Sequence, residues 1–239
     1  RSAAPASRPT SAAAAWPFGV RAQQSKLAKL GVLLVEKREP FSRIFSEGLR
    51  EFGYIDGQNM QIEYRSADGK LDRLPALAAE LVDLKVEIIV ASETPAVQAA
   101  KRATTEIPIV MAPSGDPVGT GLISSLSRPG GNVTGLSAPT AELARKSLEL
   151  IRGILPGVRR VAALADPANP FTKSFLAQIH ASAATTGLEV QDVMLAGTQD
   201  LEPIFAGMAN GGVAVLILQP PQKAIDVPRV KWLNSGNSK

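Results

Sequence analysis

Apolar and polar positions run along the chain in blocks whose period changes from block to block. Residues 30–36, LGVLLVE, form a continuous apolar run of strand length. In 41–53 the positions Phe41, Ile44, Phe45, Leu49 and Phe52 recur three and four apart, which places them on one helical face, and Gly53 marks the stop. The stretch 59–65, NMQIEYR, alternates with period two and predicts a strand with one wetter face. Leu74, Leu77, Leu81 and Leu84 predict a helix over 72–85, and VEIIVAS (86–92) a buried strand. The segment 94–104 opens with Thr94 and Pro95, an N-cap residue followed by proline at the first helical position. Two further strands follow at 107–112 and 132–137.

The pattern then restarts. A helix over 140–155 ends at Pro156 and Gly157, a strand follows at 158–166, and a helix over 170–187 stops at Gly187. A strand at 188–195, a helix at 200–212 and a strand at 213–220 complete the alternation. Strands separated by helices imply right-handed βαβ units, hence parallel sheets covered on both faces. The expected fold is α/β, with two Rossmann-like lobes: an N-terminal lobe over 27–137 and a partial second lobe over 138–220. Three parallel strands leave open edges, so the second lobe reads as incomplete. The remaining 221–239 reads as an irregular tail, since no strand–helix alternation continues there.

Composition changes this picture in three places. Aromatic residues are only 5% of the chain, so the core must rest on Ala, Val, Leu and Ile. The net charge of +4 includes Arg1, Arg8 and Arg21, in a stretch without acids; without those three of the 26 basic residues, the body carries 23 against 22 acids. A near-neutral body carries no electrostatic footprint for nucleic acid, and no nucleic-acid partner is expected. The absence of cysteine removes disulfides, thiolate metal sites, cysteine nucleophiles and a lipid-anchor cysteine. Residues 1–24 combine basic residues, a short small-residue apolar run and Val20-Arg21-Ala22, the layout of a signal-peptide remnant; a disordered Ala/Pro/Ser-rich leader is the alternative. That run is too short to span a bilayer, and no other segment qualifies, so no stable membrane insertion is expected.

The glycine-rich stretch 114–135, SGDPVGTGLISSLSRPGGNVTG, poses the question of a phosphate cradle. Such a cradle needs its glycines between a strand and a helix N-terminus, where backbone N–H groups and the helix dipole meet the anion. The pattern G-x-x-x-x-G-K-[ST] is absent; Gly119 and Gly121 form a G-x-G, but position 124 is serine. The first strand runs into EKREP with no glycine turn. These glycines are therefore expected to serve tight turns and close packing, and no cofactor is expected.

Two long segments, YIDGQNMQIEYRSADGKLDRLPALAAELVDLKVEIIVAS (54–92) and IPIVMAPSGDPVGTGLISSLSRPGGNVTG (107–135), closely resemble ABC-transporter substrate-binding proteins of the tryptophan/tyrosine type. AAAAWPFGVRAQQ (12–24) and VAALADPANP (161–170) fit the same family. The resemblance implies a type I periplasmic binding fold, with two lobes joined by a hinge and ligand in the cleft. It implies a periplasmic protein that binds a small-molecule solute, with ABC permease and ATPase subunits as partners and no enzymatic activity. Members of that family continue beyond the region matched here, and VPRVKWLNSGNSK departs from them.

Ligands of open parallel sheets bind outside the carboxyl ends of the strands. That rule gathers Glu36 to Phe41 after the first strand, Ser92, Glu93 and Thr94 after the third, and Ser114, Gly115 and Asp116 after the fourth. Ser137 follows the fifth strand, and Asp166, Asn169 and Pro170 follow the strand at 158–166. Ser92 and Thr94 either hold a ligand carboxylate at a helix start or cap that helix. Asp116 either accepts from a ligand ammonium or shapes an Asp-Pro turn. Asn169 either bonds a ligand or caps the helix beginning near Pro170, and Phe41 either stacks on an apolar ligand or packs in the core. His180, the single histidine, offers no partner for a catalytic pair or metal cluster. Asn132-Val133-Thr134 is a glycosylation pattern, and Arg159-Arg160 reads as a solvated turn. Two other readings are a ligand-sensing domain of a transcription regulator, which would want a helix-turn-helix ahead of Leu30, and a truncated fragment that binds nothing.

Overall fold

The computed structural model describes residues 27–196 and 201–219. Within them the chain runs β1 (Ala28–Leu34), α1 (Phe41–Glu51), β2 (Met60–Ser66), α2 (Leu74–Asp83), β3 (Ile88–Ala91), α3 (Glu93–Ala103), β4 (Ile109–Gly115) and β5 (Val133–Ala138). It continues with α4 (Thr140–Ile154), β6 (Arg160–Ala165), α5 (Thr172–Thr186), β7 (Glu189–Met194), α6 (Leu201–Asn210) and β8 (Val215–Leu218). Every strand pairing is parallel, and the strands form two sheets of order β2-β1-β3-β4-β5 and β7-β6-β8. In the first sheet the chain steps outward from β1 to β2 and returns past β1 to β3. This reversal of direction is where open α/β sheets leave a crevice at the strand ends.

Period two along β1 decides what covers each face. Leu30, Val32 and Leu34 join Met60, Ile62 and Val90 beneath Phe41, Phe45 and Leu49 of α1. Leu33 and Val35 turn the other way, with Ile89, Ala91, Ile109 and Met111, against Leu77, Ala78 and Leu81 of α2 and Ala96, Val97 and Ala100 of α3. The small alanines of α3 let that helix lie close to the sheet, and Ala96 and Ala100 are fully buried. The second sheet packs Ala163 and Ala165 of β6 against Phe175 and Ile179 of α5, with Ala144 of α4 in the same cluster.

The connection between β4 and β5 contains no helix, and the glycine-rich segment lies wholly within the first half of the molecule. Its last glycine explains why a side chain is excluded there. Gly135 has φ +124°, and a Cβ on it would stand 2.5 Å from both N and O of Met111. The β4–β5 register shifts beside this contact, between Met111 and Ser114. The backbone crosses to the second sheet only after β5, at Pro139.

Some local expectations need correction. Helix α3 begins at Glu93 with Ser92 at the N-cap, so Thr94 lies inside the first turn rather than at the cap. Helix α5 begins at Thr172, not near Pro170. Arg160 is not a solvated turn residue: it opens β6, pairs with Glu189 at 2.8 Å and donates to the Gly211 carbonyl at 2.6 Å. The expected leader over 1–24 and tail over 221–239 lie outside the described residues. Among the described residues no helix is long and apolar enough to cross a membrane.

Candidate functional site

The carboxyl ends of β3, β4, β5 and β6 converge on a cavity of about 250 Å³. Ser92, Glu93 and Thr94 line it after β3, Pro113, Ser114 and Gly115 at the end of β4, Ala138 at the end of β5 and Thr140 at the start of α4. Asn169 and Phe171 complete the wall from beyond β6, so both sheets contribute.

Thr94 is buried, and its hydroxyl faces β4 rather than its own helix. Its Oγ1 lies 3.0 Å from Ser114 Oγ and accepts from Gly115 N–H at 3.2 Å. This pair fixes the start of α3 to the end of β4. Ser92 makes no side-chain cap bond to α3, so its hydroxyl and the first N–H groups of the helix stay available to a ligand at the positive end of the helix dipole. Across the cavity, Asn169 Oδ1 accepts from Phe171 N–H at 2.9 Å, which shapes the turn before α5. The ring of Phe171 lies 3.0 Å from where a Cβ on Gly115 would stand, so glycine is the residue that admits it.

Glu93 stands apart. Its backbone is left-handed, with φ +72°, and its Oε2 is shielded from solvent without a hydrogen-bond partner. Burial, with the nearby charge of Glu36 as a smaller contribution, pushes its carboxyl up to about 8.

Of the expected site residues, Ser92, Thr94, Ser114 and Asn169 are brought together. Three others stand outside the cavity wall. Phe41 stacks on Phe45 at 5.4 Å between ring centroids and packs into the core under α1. Ser137 is exposed, with its Oγ 3.4 Å from the Ala138 carbonyl. Asp116 shapes its own turn by accepting from Gly119 N–H at 3.0 Å, and it also accepts from Ser174 Oγ and, at 3.3 Å, from Gln178 Nε2 of α5. Its carboxylate therefore ties the first half to the second. Replacing Asp116 by alanine should lower the unfolding free energy by about 1–3 kcal/mol, read by urea denaturation. Asp116→Asn, which tolerates the same left-handed φ of +36°, should lose less.

Pro113, Phe171, Thr140 and Ala138 line the cavity without a signal in the sequence, and Glu93 lies at the expected strand end. His180 pairs with Asp192 at 2.8 Å on an exposed surface. Among the described residues no group of three or more His, Cys, Asp or Glu side chains is arranged for a metal. Asn132 spends its amide on the carbonyls of Thr104 and Ile107, at 3.0 and 2.9 Å.

A family model for ABC transporter substrate binding proteins matches residues 40–234, most of the chain. The chain belongs to that family. A tyrosine-binding protein of Clostridioides difficile (strain R20291) is 30% identical over 166 residues, which are 70% of this chain and 48% of that protein. The chain thus spans about half the length of this curated relative. The crystal structure of an ABC domain from Streptococcus pneumonia in complex with L-Trp matches with a TM-score of 0.74 and 28% identity, over 84% of this chain and 68% of that one. A conserved domain protein from Vibrio cholerae matches with a TM-score of 0.72 and 29% identity, over 80% of this chain and 64% of that one. The α/β fold with parallel sheets is that of type I periplasmic binding proteins. Nothing in these relatives supports the regulator reading.

Proposed function

We propose that this chain binds a small solute, an amino acid, between its two sheets, as the extracytoplasmic receptor of an ABC uptake transporter. The observation that carries the reading is the cavity framed by strand ends of both sheets, with the uncapped start of α3 opening onto it. Its volume of about 250 Å³ lies just below the roughly 300–1,000 Å³ of pockets for drug-sized ligands, which suits an amino-acid-sized guest. The relatives named for tyrosine and solved with L-Trp support that class of solute.

In this reading the ligand carboxylate sits against the first turn of α3, where Ser92 Oγ and helical N–H groups donate to it. Asn169 supplies a polar contact from the opposite wall, and Phe171 provides apolar surface. A guest that touches both halves favours the state in which they are close, because its binding energy is larger there. A permease with its ATPase would then receive the loaded form, and the site of action is the periplasm, reached by the leader.

A thermal-shift series with L-tryptophan, L-tyrosine and L-leucine tests the proposal: at least one should raise the melting temperature. Ser92→Ala, which removes a hydroxyl that makes no cap bond to α3, should weaken that ligand about 3- to 10-fold by calorimetry. A panel without any shift overturns the amino-acid reading, and an unchanged affinity removes Ser92 from the site.

A further inference from the structure

Among the described residues the cavity wall contains one ionisable side chain, Glu93, and its buried Oε2 has no hydrogen-bond partner. A carboxyl in that position works against folding twice: the left-handed backbone favours glycine, and a buried carboxylate without a counter-charge is costly. No structural gain offsets either penalty, since Oε2 bonds to nothing among the described residues. Such strain at a cavity indicates a partner that arrives with the ligand.

The surroundings define the charge of that partner. Of the elements packed against α3, β3 and β4 carry no charged side chain. On β1, Lys29 reaches the Leu84 carbonyl; on α2, Glu80 pairs with Arg65, and Asp83 is the other acid. On α3 itself the cations are Lys101 and Arg102 in the last turn, at the far end from Glu93, and Lys101 binds the carbonyls of Gly121 and Leu122. The charge that acts on Glu93 is a like one, Glu36 beyond β1. Among the described residues no cation acts on Glu93.

We infer that Glu93 is the acceptor for the ammonium group of the solute, and so the residue that makes the site choose amino acids over the corresponding carboxylic acids. The inference rests on the solute-binding reading above. Both ionic groups of an α-amino acid sit on one carbon, and Ser92 and Glu93 both line the same cavity. The carboxylate at the start of α3 and the ammonium at Glu93 are therefore compatible with one bound molecule.

A proton balance follows. The carboxyl of the empty site, pushed up to about 8, holds its proton at neutral pH. The entering ammonium keeps its own protons, so the Glu93 proton leaves to solvent as the ion pair forms. Affinity for an amino acid should then rise about 10-fold per pH unit between pH 6 and 7. A deaminated acid should bind more weakly as pH rises, because it meets the Glu93 carboxylate without an intervening cation.

The test is calorimetric titration at pH 6, 7 and 8 with two matched pairs, L-tryptophan with indole-3-propionate and L-tyrosine with 3-(4-hydroxyphenyl)propionate. Phosphate and Tris buffers, which differ in ionisation heat, count the protons released. Wild type should prefer the amine-bearing member about 10- to 100-fold and release close to one proton at pH 6–7. Glu93→Gln, of the same shape, should lose both the preference and the proton. Equal binding of the two members of a pair, or undiminished discrimination by Glu93→Gln, overturns this inference and leaves solute binding standing. Binding of none of the four probes overturns both.

Discussion

Glu93→Gln should be more stable than the wild type at pH 8 and close to it at pH 5. The Glu93 carboxyl has its folded pKa raised from 4.5 to about 8, chiefly by burial. Between those values the native state holds a proton that the unfolded chain has released. The contribution of this group to stability is therefore complete below about 4.5, declines as pH rises, and is lost by about 8. The full span corresponds to a few kcal/mol, on the order of 5 at most. Urea midpoints of both proteins across pH 5–8 measure it, and the quantity to follow is their difference, since other groups titrate in both. A difference that stays constant with pH would show that the carboxyl is not shifted. Glu93→Gly should gain a further ~1 kcal/mol by relieving the left-handed backbone. Both gains would come with loss of the amine preference, the usual relation between a strained site and the fold that carries it.

Gly135→Ala should be the most disruptive small substitution in the first half. The new methyl would stand 2.5 Å from backbone atoms of Met111, and φ of +124° is a conformation that alanine resists. A backbone neighbour cannot rotate aside as a side chain can, so β4 and β5 must separate or shift. Loss of stability should reach about 3 kcal/mol or more in urea denaturation. Gly131→Ala, four residues earlier in open space, should change little and serves as the control. A Gly135→Ala protein as stable as wild type would mean that the β4–β5 contact is looser than described.

Alternation of period along the chain was enough to place the strands and helices and to make the sheets parallel. LGVLLVE has the length and apolar continuity of a buried strand, and Phe41, Phe45 and Leu49 recur at helical spacing on one face. Strand order is different, because periodicity says nothing about which neighbour β1 takes. The rule of carboxyl ends located Ser92, Thr94, Ser114 and Asn169, but it could not say which side chains turn inward. Thr94-Pro95 carries the signature of a capped helix start; a hydroxyl 20 residues away, on Ser114, draws Thr94 inward instead. Asp116 reads locally as a turn residue, and its bond to Ser174 spans 58 positions, beyond the reach of any local pattern. Phe171 follows Asn169-Pro170 as an ordinary helix lead-in, and only the missing side chain at Gly115 gives its ring a place. Glu93 sits in the one motif that named its neighbours, yet charge in a loop suggests solvent, and its burial is a fact of three dimensions.

The crossing at Pro139 has a mechanical consequence. Among the described residues no strand pairing joins the two sheets, so one can swing against the other like a jaw without breaking a ladder. What such a swing must break are side-chain ties, the grip of Asp116 on α5 and the seating of Phe171 over Gly115. Phe171 lies in the cavity wall and Asp116 follows the wall residue Gly115, so a swing that loosens these ties also opens the cavity.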